Sequence, residues 1–420
     1  MRNRLPAFAI YITMEFVSSL FFSLIFTVNM IYQVTVVHLN PLQLVLVGTT
    51  LEVTIFLFEI PTGVLADVKS RRLSVIIGYV LLGVGFVMEG SLPHFWTVAL
   101  AQGIWGIGFT FTSGATQAWI ADEIGPERAG QAFLRGAQAG QVGTLLAIPF
   151  SVALGRGHIT LPIILGGVGM MLLAAFLATA MPERGFTPSR GKDRTTFGHM
   201  LQTVRDARQM TRRQPVLLTL LGIGLFFGMY SEGVDRLWTP HLLQDFATPW
   251  GSASEPVIWF GIIRGVLLVI AIAGTEFARR RVDTSRSSSL ARVLTANTAL
   301  IVIALAGFAL VRDFWVAVAL FWMLGALRRV RGPLYDAWFN GQIDDPQVRA
   351  TMFSVSSQVD AIGQICGGPA VGAIGTAVSI RAALVASAAI LAPAIPLHGL
   401  NREAPRDAKE DKENPSIPSS

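Results

Sequence analysis

The sequence predicts an all-α polytopic membrane protein whose twelve transmembrane helices form two six-helix pseudo-repeats. Three observations carry that prediction. Of 420 residues, 52% are hydrophobic and 14% charged, with a mean hydropathy of +0.54, whereas an ordinary soluble domain is about a quarter charged. Apolar stretches of about twenty residues, each enough to cross roughly 30 Å of hydrocarbon, recur through almost the whole chain. The halves also repeat, "ATQAWIADEIGPERAGQAF" aligning with "LYDAWFNGQIDDPQVRATMF". Ala118, Trp119 and Ile124 match Ala337, Trp338 and Ile343; after a one-residue insertion, Pro126, Phe133, Gln138, Gly143 and Pro149 match Pro346, Phe353, Gln358, Gly363 and Pro369. A parallel repeat places a substrate cavity between two helical halves near the bilayer midplane.

The first span, 6–33, follows Arg2 and Arg4, but its apolar region is too long for a signal peptide and no small-residue cleavage site follows, so it is expected to be retained. It carries Glu15. The second, 42–66, carries Glu52 and Glu59 and runs into "FEIPTGVLADVKSRR"; the third, 72–92, holds Glu89 near its outer interface, where solvation is the default. Spans 95–121, 131–154 and 159–181 complete the first half, residues 1–181, and the fifth contains Gly136, Gly140, Gly143 and Pro149. Residues 182–214 read as a cytoplasmic linker in which Phe197, Met200, Leu201 and Val204 recur at helical spacing, the pattern of an amphipathic helix on the membrane surface.

The second half, 215–399, comprises spans 215–241, 255–278, 288–311, 314–340, 350–374 and 378–398. Glu232, Asp235 and Arg236 sit toward the outer end of the seventh, Arg264 deep in the eighth, and Asp360 deep in the eleventh. "LRRVRGPLYDAW" puts Arg328, Arg329, Arg331 and Asp336 inside the tenth. Residues 400–420 read as a disordered, charged cytoplasmic tail.

Lys and Arg cluster after every even-numbered span, at Lys69, Arg71 and Arg72, then Arg128, the 184–213 segment, Arg279 to Arg281, Arg349 and the tail. The positive-inside rule therefore places both termini in the cytoplasm. The net charge of +6 reports this topology, so a nucleic-acid partner is unnecessary. Six scattered histidines and the single Cys366 build neither a metal site nor a disulfide framework, and there is no phosphate loop. No metal or cofactor is expected; the partners are a small-molecule substrate, protons and the lipid bilayer, with the monomer as the working unit.

"GVLADVKSRR" resembles the loop signature between spans two and three of the major facilitator superfamily: Gly63, Leu65, Ala66, Asp67, Lys69, Arg71 and Arg72 match, while Val68 and Ser70 replace a basic residue and a glycine. The resemblance implies the major facilitator fold and a cytoplasmic latch, formed by Gly63, Asp67, Lys69, Arg71 and Arg72, that holds the halves together. "GQICGGPAVG" looks like the glycine-proline motif of antiporters, and Gln102 stands where many of those carry an arginine. "FEIPTGVLAD", "SGATQAWIADE" and "EGVDRLW" resemble a drug/proton antiporter branch that includes tetracycline-efflux proteins, which also raises interest in Glu89.

Intramembrane charges are costly unless they face protein, water or a partner, so each is a candidate site. Glu52 and Glu59, seven residues apart, share a helix face, and Glu15 lies at a depth similar to Glu52, which makes these three the proton-coupling candidates of one cavity. Arg264, Asp360, Glu232, Asp235 and Glu89 are the substrate-cavity candidates. Arg328, Arg329 and Arg331 cannot all face lipid; structural pairing with Asp336, Asp360 or a first-half carboxylate stands beside substrate binding. The expected function is non-enzymatic: a secondary exporter of a drug-like amphiphile, with tetracycline as one option, exchanging it for protons across a bacterial cytoplasmic membrane. A proton-coupled importer of a small metabolite and a non-transporting membrane receptor remain the alternatives.

Overall fold

In the computed structural model, residues 6–188, 215–246, 255–282, 287–343 and 346–400 are described. Their helices make twelve crossings in the expected order. The first half contains Ala7–Phe26 with Asn29–Thr35, Pro41–Val68, Arg71–Ser91, Phe95–Thr112 with Ala115–Ile124, Pro126–Gly157, and Leu161–Ala180. The second contains Pro215–Gln244, Glu255–Arg281, Ser287–Leu310, Phe314–Gly341, Pro346–Ala377, and Ile380–Leu391 with Ala394–Leu400. These are spans one to twelve below. The expected amphipathic linker helix at Phe197, Met200, Leu201 and Val204, and the tail beyond residue 400, lie outside the described residues.

Local chemistry sets the ends. Span two starts at a reciprocal capping box, in which Asn40 Oδ1 accepts from Gln43 N at 2.9 Å and Gln43 Oε1 accepts from Asn40 N at 3.1 Å. Ser70, Asp313 and Ser379 cap spans three, ten and twelve by accepting from backbone N–H groups. Span four breaks at Gly114, and the turn into span five pivots on Gly125; their φ values of +71° and +88° lie where a side chain would be strained.

Eight crossings are by themselves long and apolar enough to span lipid. Spans four, seven, ten and eleven are not among them, and each of these four contributes to the wall of the larger cavity described below. Polarity is thus concentrated where a helix faces protein or water. On the outside of the bundle, Phe150, Leu172, Phe277 and Ile303 are exposed, as lipid contact requires.

The internal repeat appears in the packing. Span one lies along span five, and span seven along span eleven. A Cβ added at Gly143 would strike Phe16 O and Leu20 N of span one; one added at the matching Gly363 would strike Leu225 O and Met229 N of span seven. Small residues let these backbones meet. The matched Trp119 and Trp338 are both fully buried; Trp119 Nε1 donates to Pro182 O at 2.7 Å, and Trp338 stacks on His398 with ring centroids 5.6 Å apart.

The two halves meet at the end of the bundle away from Ala7 and Leu400. There Leu42 N donates to Thr376 Oγ1 at 2.9 Å, Gly375 and Gly372 abut Pro41 and Leu42, and Gly155 and Gly261 abut Val257 and Val152. Spans two and eleven form the main joint; spans five and eight, the pair that the pseudo-twofold exchanges with it, and spans two and seven add lesser ones.

Candidate functional site

Two lobes of a cavity lie between the halves. The larger, about 510 Å³, is walled by spans two, four, seven, ten and eleven. Span two contributes Glu52 and Glu59, whose seven-residue spacing does put both on the cavity side. Span ten contributes Arg331 and Asp336, and span eleven contributes Asp360, whose Oδ2 accepts from Gln364 Nε2 at 2.9 Å. Arg331 is held between rings, with its guanidinium carbon 3.2 Å from the Phe227 centroid and 4.4 Å from that of Tyr335, and its Nε and one terminal nitrogen have no hydrogen-bond acceptor. Four carboxyls and one guanidinium thus line the lobe, against aromatic walls that include Trp105, Phe109 and Phe339. The lobe is acidic.

The smaller lobe, about 440 Å³, has the opposite sign. Arg264, Arg328 and Arg329 line it with one carboxylate, Asp235. Arg328 grips Asp235 as a fork, with contacts of 2.5 and 2.7 Å, a geometry that only a guanidinium supplies. Arg264 donates to the Phe26 carbonyl, which the break in span one after Phe26 exposes. Trp238 and Phe321 stack 4.4 Å apart in the wall.

Several expectations require correction. Glu15 does not join Glu52: it lies beside Tyr11 against Gly136 of span five and lines neither lobe. Depth along span one was legible, but the packing of one against five turned that face away from span two. Glu89 is not solvated and lines neither cavity, because Asn29–Thr35 folds beside span three and leaves the residue with no exposed surface. Glu232 is 4% exposed and bound to Arg236 Nε at 2.8 Å, in a notch left by Gly48 of span two, so it is a locked pair rather than a cavity wall. The partner of Arg328 is Asp235, not Asp336, Asp360 or a first-half carboxylate, while Arg329 is exposed and lines the smaller lobe. Arg236 and Gln364 each lie four residues from their acidic partner, a spacing that could have been read from the sequence.

The basic loop after span two ties the first half together. Arg71 binds Asp122 and donates to Ala118 O at 2.9 Å, and lies 3.5 Å from Asp67; Ser70 Oγ and Arg72 N both reach Glu183. Lys69 is exposed. At Gly63 an added Cβ meets nothing within 4 Å, so this member of the motif makes no close helix contact. Asp122 and Glu183, anchors of this cluster, lie far from it in sequence and were not legible. Asp67→Asn is expected to reduce turnover while leaving membrane insertion intact, because it removes charge at nearly constant size. Equal flux at equal folded yield would rule out a latch role.

A family model for the Major Facilitator Superfamily matches residues 11–328. Among curated proteins, the chain is 21% identical over 350 residues to an uncharacterized MFS-type transporter, YxaM, of Bacillus subtilis (strain 168), covering 83% of this chain and 85% of the relative. Among solved structures, a mutant of the nucleoside transporter NupG superposes with TM-score 0.77 at 12% identity, covering 94% of this chain and 99% of that one. A bacterial homolog of the human lysosomal transporter Spinster, in an inward-facing and unoccupied conformation, superposes with TM-score 0.71 at 16% identity, with coverage of 94% and 96%. A POT family transporter in complex with 5-aminolevulinic acid gives 0.68 at 12% identity, with 94% of each chain covered. At such identities the likeness is one of fold.

Proposed function

Because the chain belongs to the Major Facilitator Superfamily and is a membrane transporter of that type, we propose that it exports a drug-like amphiphile by proton antiport and alternating access. It works as a monomer in a bacterial cytoplasmic membrane, with both termini in the cytoplasm. The observation that carries this reading is the acidic, aromatic-walled larger lobe, which four carboxyls line with the single guanidinium of Arg331. A planar amphiphile bearing a positive charge would place its apolar body on Trp105, Phe109 and Phe339 and its cationic group among the carboxyls. Protons and such a cation would compete for the same groups, which is a physical basis for antiport. With the termini cytoplasmic, the shut end faces outward and the lobes load from the cytoplasm, as an exporter requires.

Everted membrane vesicles test this directly. An acid interior is expected to drive uptake of a fluorescent cationic amphiphile, with tetracycline as the next probe, and a protonophore should abolish it. Flux in the opposite sense would establish the importer, and no flux of any probe in proteoliposomes would favour a receptor. Topology is checked with Thr195→Cys after replacement of Cys366, which is exposed. An impermeant thiol reagent is expected to label it in everted vesicles and not in intact cells; labelling in intact cells would invert the orientation.

A further inference from the structure

Glu89 lies outside both cavity lobes, yet its surroundings are those of a site. It has no exposed surface. Gln33 Nε2 meets Oε1 at 2.7 Å, Gln102 Nε2 meets Oε2 at 3.1 Å, the Asn29 side chain lies beside the carboxyl, and Tyr32 Oη donates to the Glu89 carbonyl at 2.8 Å. Three amides from two spans thus converge on one carboxyl. Their own oxygens, Asn29 Oδ1, Gln33 Oε1 and Gln102 Oε1, are buried with no donor, and the three residues are at most 3% exposed. The cluster is short of hydrogen.

A carboxylate sealed from water without a paired cation is costly. The field of Arg236 of span seven reaches Glu89, but its Nε is bound to Glu232 at 2.8 Å. Tyr32, which is titratable, uses its hydroxyl on the Glu89 backbone. One added proton removes the charge and supplies a donor to one of the three amide oxygens that lack one. The oxygen and nitrogen of an amide exchange places by a half-turn, so Gln33 can present Oε1 to Glu89 at the same 2.7 Å, a normal O–H···O separation.

We propose that Glu89, with Asn29, Gln33 and Gln102, forms a proton-binding site separate from the central cavity, occupied by one proton while the halves are shut at this end. The site sits beside the joint between the halves, where Arg236 enters the Gly48 notch. Parting of the halves there withdraws Arg236 and admits water, so the proton exchanges with the side opposite the termini.

Infrared difference spectra of the protein in liposomes, recorded as pH is stepped through neutrality and into the alkaline range, test the site without any substrate, so failure of the exporter reading leaves the result untouched. The expected result is a hydrogen-bonded carboxylic C=O band at neutral pH that Glu89→Gln removes, Glu52→Gln retains and Gln102→Leu moves to higher frequency. Folded yield and thermal unfolding are measured on each variant; if Glu89→Gln does not fold, Glu89→Asp is expected to shift the band instead. Persistence of an unaltered band in Glu89→Gln or, failing that, Glu89→Asp would overturn the proposal. So would its absence from wild type at neutral pH. Loss of the band on replacing K⁺ by Na⁺ at constant pH would assign the oxygens to a sodium ion and equally overturn it.

Discussion

Replacing Glu52 with glutamine is expected to lower ΔpH-driven flux by about 5- to 150-fold, the range that a coupling of about 1–3 kcal/mol spans, while folded yield and substrate counterflow survive. Glutamine preserves size and hydrogen bonding but cannot change charge on taking up a proton. Glu52 is the cavity carboxyl on which the field of Arg236 and those of Glu232, Asp235 and Asp360 converge, so its protonation alters the balance between the halves. Glu59, exposed and further along the same face, should give a smaller loss. Glu15→Gln is expected to leave driven flux near wild type, because Glu15 lies with Tyr11 against span five. Proteoliposomes assayed in parallel for driven flux, counterflow and folded yield decide the matter. Wild-type driven flux in the Glu52→Gln/Glu59→Gln double variant would remove the two span-two carboxyls from the proton path.

Gly363→Val is expected to reduce folded yield sharply and to lower thermal stability by about 1–3 kcal/mol or more, the usual cost of overpacking. The new side chain would meet Leu225 O and Met229 N, backbone atoms of span seven that cannot swing aside as a side chain can. The matched change Gly143→Val should act likewise against Phe16 O and Leu20 N. Gly130→Ala, where an added Cβ meets nothing within 4 Å, is the control and should be neutral or mildly stabilising. Thermal unfolding in detergent with yield per cell compares the three. A Gly363→Val protein as stable as the control would mean that spans seven and eleven separate without penalty.

The fold was legible to a large extent, and the candidate site much less so. The matched Gly143 and Gly363 were visible as a repeat, and both prove to sit where two backbones touch. Glu52 and Glu59 share a cavity as their spacing implied. By contrast, Glu89 lies two residues from the end of its helix, a position that reads as wet; only the neighbouring Asn29–Thr35 segment makes it dry. Asp235 reads as an outer-end residue of span seven and becomes the anchor of Arg328 from span ten, 93 positions away.

The difference follows from what each property depends on. Twelve crossings and two halves are determined by the sequence itself, because transfer from water to lipid is a property of each residue and its near neighbours, summed over about twenty positions. Helical periodicity adds depth and relative face within one span. Which faces meet is a relation between helices, and here the tertiary structure decides it. The close approach at Gly143 and Gly363 sets the rotation of spans one and seven, the notch at Gly48 admits Arg236, and the faces turned inward leave one lobe acidic and the other basic.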